Sequence, residues 1–435
     1  MVGHGTGRRS RFLLLLVLAA GLRLSIITRH FGNVDDLGVA ATILDAERHP
    51  PDSAALIAEA RRKQANGHGT PRTAALLRFT RSPAARAAID TVAPAFPFVA
   101  VPLTWTYAPL PFVATPLLIA PGQGYEAVKL GGRLPSTLFA LGAMLLMVPL
   151  ARRLRPADPL PLALATVALL GFSRELIVMS VQMHGYAATV FAAAAILLLT
   201  AHDVARPEAA RGWRFVAARG ALMLLFCYLS YQSVMLLPGY LAALAWASVQ
   251  RAPRREWIRR LLPATAIGAA FVAAIVPAYL YRLSTIRAVT WNAGPNNEFL
   301  FAPNGIGDAI ASLPGFLAGN GWLTFEAMTT PLTPDGWPSR ILTALVLAAA
   351  AAGLAAMIRR ARRGDGPERD FHRALLVHIG VTFALLLAFV VTARLALAPT
   401  RHMLLYLPLL AMCFGIGVLA VARRIGEGLA VKAGA

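Results

Sequence analysis

The chain alternates long apolar runs with short polar connections rich in arginine. Apolar runs occupy residues 12–27, 134–151, 160–179, 186–201, 215–233, 234–249, 261–281, 341–358, 375–392 and 403–422. A helix rises about 1.5 Å per residue, so roughly 17–25 residues cross a hydrocarbon core of ~30 Å. The runs reach or approach that length and hold few charges. They predict an all-α fold, a polytopic transmembrane helix bundle of about ten spans. Residues 96–121 are apolar too, but they contain Pro97, Pro102, Pro109, Pro111, Pro116 and Pro121. An interior proline removes a helical hydrogen bond at about 3 kcal/mol, and lipid does not replace it. This segment is expected to lie on or dip into the outer leaflet without crossing.

Arginine placement is an independent test of that topology. With the N-terminus inside, the inner connections hold Arg152, Arg153 and Arg155, then Arg206, Arg211, Arg214 and Arg219. Further along they hold Arg251, Arg254, Arg255, Arg259 and Arg260, then Arg359, Arg360, Arg362, Arg363, Arg369 and Arg373. The tail adds Arg423, Arg424 and Lys432, while the short outer connections carry little beyond Arg174, Arg394 and Arg401. Basic residues favour the inner side, and letting 96–121 cross would invert every later loop.

Five regions follow from this reading. Residues 1–28 form the inner N-terminus and first helix, and 29–133 form an outer loop. Residues 134–281 are transmembrane helices, 282–340 a second outer loop, and 341–435 the C-terminal helices and inner tail. Within the first outer loop, 54–63 and 74–89 read as short helices. Leu76, Leu77, Phe79 and Ile89 alternate there with Arg72, Arg78, Arg81 and Arg86. That pattern suits interfacial helices near phosphate head groups, or equally a solvated charged face. Arg8, Arg9 and Arg11 ahead of the first run resemble a signal peptide, but the many later runs favour an uncleaved first helix.

Composition narrows the class. Of 435 residues, 57% are hydrophobic and only 14% charged, with a mean hydropathy of +0.59. Soluble domains carry roughly 25% charged residues. A formal charge of +21 would suggest nucleic acid in a soluble protein. Here the arginines mark loop ends, so nucleic acid is excluded as a partner. Cys227 and Cys413 both fall in apolar runs and are expected to pack as small apolar residues.

Candidate chemistry begins with Asp35 and Asp36, a few residues beyond the first run. Adjacent carboxylates at a membrane surface are either water-exposed or face a cleft as base or metal ligand. Several further stretches share the same predicted side. They are Tyr107-Ala108-Pro109-Leu110, Gly132-Arg133-Leu134-Pro135-Ser136, Ser180-Val181-Gln182-Met183-His184-Gly185-Tyr186, and Arg401-His402 leading to Leu407-Pro408-Leu409. In this order they resemble the integral-membrane glycosyltransferases of the GT-C fold. The likeness is to bacterial relatives of protein O-mannosyltransferases and of the lipid A aminoarabinose transferase. It covers roughly the first half of the chain and the last helix. Asp36 stands where that family has Glu, Val39 where it has an aromatic, and His184 where Arg is common.

The resemblance implies an inverting transferase of the bacterial inner membrane, its active site facing the periplasm or exterior. Such an enzyme moves a hexosyl or pentosyl group from a polyprenyl-phosphate sugar donor to a glycolipid, polysaccharide or protein acceptor. Asp35 would be the catalytic base, and Asp36 would support it or share a divalent metal with it. Arg401 is the first choice to grip the departing phosphate, followed by Arg133 and His184. His402, Gln182 and Tyr186 would line the substrate cavity. Arg133 could equally be a helix-end anchor, and His184 a packing residue. In the second loop, Trp291, Trp322 and Trp337 could stack on sugar, and Glu298, Asp308, Glu326 and Asp335 could hold the acceptor. A lipid-linked-glycan flippase, or a surface-polysaccharide polymerase or ligase, fits the same pattern of spans and basic interfaces.

Overall fold

A computed structural model describes residues 4–27, 125–182, 186–206, 212–250, 252–285, 303, 306–331, 336–391 and 401–433. Every regular element among the described residues is helical. In chain order they are α1 (His4–Ile27), α2 (Tyr125–Leu154), α3 (Leu160–Phe172), α4 (Arg174–Ser180), α5 (Tyr186–Val204) and α6 (Trp213–Leu229). The second half holds α7 (Leu237–Val249), α8 (Trp257–Thr285), α9 (Ile306–Thr329), α10 (Trp337–Arg363), α11 (Gly366–Val391) and α12 (Leu407–Ala433). Short 3₁₀ turns, Tyr231–Met235, Arg254–Glu256 and Arg401–Tyr406, precede α7, α8 and α12.

The described residues of the ten apolar runs are helical apart from breaks such as Ser173 and Ser230. Six described helices are long and apolar enough to cross a membrane, or seven if α3 and α4 form one broken span. The run 160–179 is not straight: α3 and α4 meet at Ser173 with a bend of 65°. The segment 282–340, expected as a loop, contains the 24-residue helix α9. Residues 29–124, with the expected interfacial helices and the proline-rich stretch, lie outside the described residues.

Small residues decide which helices sit in the middle. α5 reads Ala187-Ala188 and Ala192–Ala195, so neighbouring backbones approach closely from several sides. It is the most enclosed span, 78% buried, and contacts α2, α7, α12 and the Arg401–Tyr406 turn. α10 is the reverse at 28% buried, with Ile341 and Leu345 facing outward. Such a surface suits a membrane. α10 and α12 form the most extensive helix pair, crossing at two glycines. A Cβ on Gly353 would fall on the Cys413 carbonyl, and one on Gly417 on the Ala349 carbonyl. Gly366, at φ +40°, opens α11 directly after α10 and lets the chain reverse. Cys227 and Cys413 are free and buried, as packing residues.

One buried acid ties three helices together. Asp203, 2% exposed at the end of α5, accepts from Arg219 Nε and Nη2 of α6, both at 2.7 Å. Tyr240 Oη of α7 donates to the same carboxylate at 2.9 Å. A bidentate guanidinium and a phenol satisfy a carboxylate that burial alone would penalise.

Candidate functional site

The polar residues of interest gather where α1 ends, α2 begins and α3 breaks into α4. The break follows from local chemistry. Ser173 leaves the helix in an extended conformation (φ −62°, ψ 116°), and its Oγ accepts from Leu176 N at 3.3 Å. It thereby ends α3 and caps α4. Arg174 N donates to Thr330 O at 3.0 Å, joining the start of α4 to the residue after α9. On the other side, Thr137 Oγ1 of α2 donates to Ser180 O at 2.8 Å, holding the end of α4. The short helix is therefore pinned at both ends.

Arg133 lies one helical turn before Thr137 on the same face of α2 and is fully buried, not an exposed anchor. Gln182 follows α4 and is 4% exposed; its Oε1 has no hydrogen-bond partner among the described residues. Tyr186 opens α5, half-buried. The Arg401–Tyr406 turn packs against both α4 and α5. This brings the backbone of Arg401 and His402 to the same region, although their side chains lie outside the described residues. Tyr406 is buried there, stacked on Phe383 at 6.0 Å, with its hydroxyl unpartnered. Asp35, Asp36 and His184 lie outside the described residues.

Two further ionisable groups sit at this end. Arg23 of α1 is fully buried. Its Nη1 donates to Ala19 O at 3.0 Å and to Gly171 O at 3.1 Å, while Nε and Nη2 have no partner among the described residues. Glu326, in the last turn of α9, is fully buried, and α9 packs against α4. Asp308, on the same helix, is exposed. Of the acids considered for acceptor contacts, the structure thus singles out Glu326; Glu298 and Asp335 lie outside the described residues. Trp322 is half-buried on α9, and Trp337 is exposed at the start of α10.

The result is an enclosed end of the bundle with guanidinium, amide, phenol and carboxylate groups, several holding unused hydrogen-bonding capacity. Buried polar atoms without protein partners mark places where water or a ligand completes the set. Guanidinium groups there suit an oxyanion. Among the described residues no three His, Cys, Asp or Glu side chains are placed to hold a metal ion. Ser173 as a break was legible in principle: a serine with an acid, Glu175, in the next turn is a helix-start signal inside an apolar run. The enclosure of Arg23 and Glu326 had no such signal, because burial of a single residue depends on distant helices. No protein-family model matches this chain, and no curated protein or solved structure matches it.

Proposed function

We propose that this chain is a membrane glycosyltransferase of GT-C type, moving a sugar from a polyprenyl-phosphate donor to an acceptor at the outer face of the membrane. One observation carries the reading: Arg133 and Gln182 are buried beside α4, and α4 packs against the turn that bears Arg401. Cations and amides held in an enclosed site can stabilise the charge that grows on a departing phosphate. Asp35 takes the proton from an acceptor hydroxyl as its oxygen bonds to the anomeric carbon. The carbon–oxygen bond to phosphate breaks, its electrons leave with the polyprenyl phosphate, and Arg401 and Arg133 bind that anion. Asp36 supports Asp35 or shares a divalent metal with it.

The test is incubation of purified protein with a labelled polyprenyl-phosphate sugar and a glycolipid acceptor. Release of polyprenyl phosphate with labelled acceptor is expected. Asp35→Asn should slow it by roughly 10²–10⁴-fold, the range of a general base, with expression and melting unchanged. Full activity in that variant would remove the assignment. The buried charges Arg23 and Glu326 favour a second reading, a lipid-linked-glycan flippase, since buried ionisable groups also mark transport pathways. Translocation of an intact lipid-linked glycan across vesicles, with no sugar transfer, would establish that reading instead.

A further inference from the structure

The opposite end of the bundle holds a second polar feature unrelated to Arg133. A cleft opens where the ends of α2 and α10 and the middle of α12 meet the start of α3 and the second turn of α11. Three guanidinium groups line it: Arg155 just beyond α2, Arg360 on α10 and Arg423 on α12. His372 of α11 lies in its wall, 3% exposed. The ring Nδ1 of His372 is 2.8 Å from Glu368 O, a carbonyl that can only accept. Nδ1 therefore carries the proton, and Nε2 is the remaining polar atom of the ring. The cleft encloses about 60 Å³. A water needs at least ~10–15 Å³ by that measure, so the four oxygens of one phosphate group fit.

The charges are close enough to act on one another. Burial, then the Arg423 guanidinium, and after an opposing contribution from Asp158 also Arg360, lower the pKa of Arg155 from its usual value. An anion among the three relieves that repulsion. Asp158 offsets part of it at Arg155. Glu368 stands 3.9 Å from Arg360, but both side chains are more than a third exposed, at 60% and 38%, where such pairs contribute little.

The other wall is apolar and belongs to the spans themselves: Leu162 of α3 with Ile416 and Leu419 of α12. A free phosphate ion gains nothing from that wall. A phosphodiester joined to hydrocarbon meets cations at one side and apolar side chains at the other.

We infer that this cleft binds the phosphate headgroup of an anionic phospholipid from the surrounding leaflet, with its glycerol and upper acyl chain along Leu162, Ile416 and Leu419. Basic pockets between spans recognise such headgroups by this chemistry. The lipid bridges helices distant in sequence, so its binding raises stability by linkage. The site is independent of whatever the Arg133 end does.

The test uses the purified full-length chain in detergent micelles, titrated with phosphatidylglycerol, with phosphatidylcholine, and with inorganic phosphate alone. Binding is read by native mass spectrometry and by the melting temperature. Phosphatidylglycerol should bind and raise the melting temperature, while phosphatidylcholine should do neither. Arg155→Gln, Arg360→Gln and Arg423→Gln should each weaken phosphatidylglycerol about fivefold, and the triple variant about a hundredfold, as expected for basic groups near anionic lipid. Arg423→Lys should keep most of the affinity, and Arg254→Gln, on the exposed 3₁₀ turn before α8, all of it. Equal binding of the two lipids, or undiminished binding in the triple variant, overturns the proposal. Inorganic phosphate that binds as tightly as the lipid and displaces it also overturns it, assigning a soluble anion instead. If the triple variant does not fold, the single variants decide by the same criterion.

Discussion

The α10–α12 crossing makes a prediction whose sign differs from the usual one. In a helix, replacing glycine by alanine stabilises by roughly 0.5–1 kcal/mol, because glycine loses more backbone freedom on folding. Gly417→Ala should do the opposite. The new methyl would fall on the Ala349 carbonyl oxygen, 2.6 Å from Ala349 C and 2.8 Å from Gly353 N. Ordinary contact begins at 3.4 Å, so clearing Ala349 C alone takes a withdrawal of α12 from α10 of about 0.8 Å, and the nearer carbonyl oxygen demands more. Both partners are backbone and cannot rotate away. A gap of ~0.5–1 Å forfeits a quarter to a half of each dispersion contact around the crossing. Overpacking of this kind typically costs about 1–3 kcal/mol, and after the propensity gain a net loss of about 1–2 kcal/mol is expected. Gly353→Ala strikes the Cys413 carbonyl at the same crossing, so one separation relieves both variants. The double variant should lose less than the sum of the singles, by ~0.5–1 kcal/mol of coupling. Gly380→Ala on α11 is the control, since its Cβ would meet nothing within 4 Å. Unfolding in mixed detergent micelles, followed by circular dichroism, measures all four variants. If Gly417→Ala proves as stable as wild type, or gains like Gly380→Ala, the close crossing is wrong.

Three other changes probe separate parts of the molecule. Asp203→Ala should cost about 3–5 kcal/mol, because it strands the Arg219 guanidinium and the Tyr240 hydroxyl in a buried site; a loss below ~1 kcal/mol in the same unfolding assay would show that water reaches the cluster. Arg23→Met should leave stability within about 1 kcal/mol of wild type, since the lost bonds to Ala19 O and Gly171 O are offset by removing a buried charge with two unpartnered N–H groups. A loss above ~2 kcal/mol would mean the guanidinium has partners beyond those two carbonyls. Gln182→Leu removes an amide whose oxygen has no hydrogen-bond partner among the described residues, so sugar transfer should fall by about tenfold or more if the amide contacts substrate; unchanged transfer would return Gln182 to a packing role.

The helices themselves were legible because hydropathy is local. A lipid-facing or core-facing segment announces itself through its own residues, whatever it packs against. The same holds for the arginines. Arg155, Arg360 and Arg423 come from three connections assigned to one side, and they do meet around one cleft. The acidic pair Asp35–Asp36, central to the functional reading, lies outside the described residues, so the sequence alone speaks for it. Of the other candidates, Arg133 and Gln182 were identifiable by residue type, but their enclosure was not. Whether a buried polar residue is an anchor or a site depends on what covers it, and α4 covers them only because Ser173 ends α3 and caps the next helix.

Contacts between helices were not legible at all. Nothing in the sequence marks Asp203; the fold sets Arg219 and Tyr240 around it. Glu326 sat in a presumed loop, and the structure makes it a buried member of α9. Composition and run length determined that this is a helical protein suited to a membrane, since satisfying the backbone in lipid requires helices of that length. Which helices touch, and which charges become enclosed, was decided by close approach at residues such as Gly353 and Gly417. A glycine permits that approach, but only the partner backbone across the gap makes it happen.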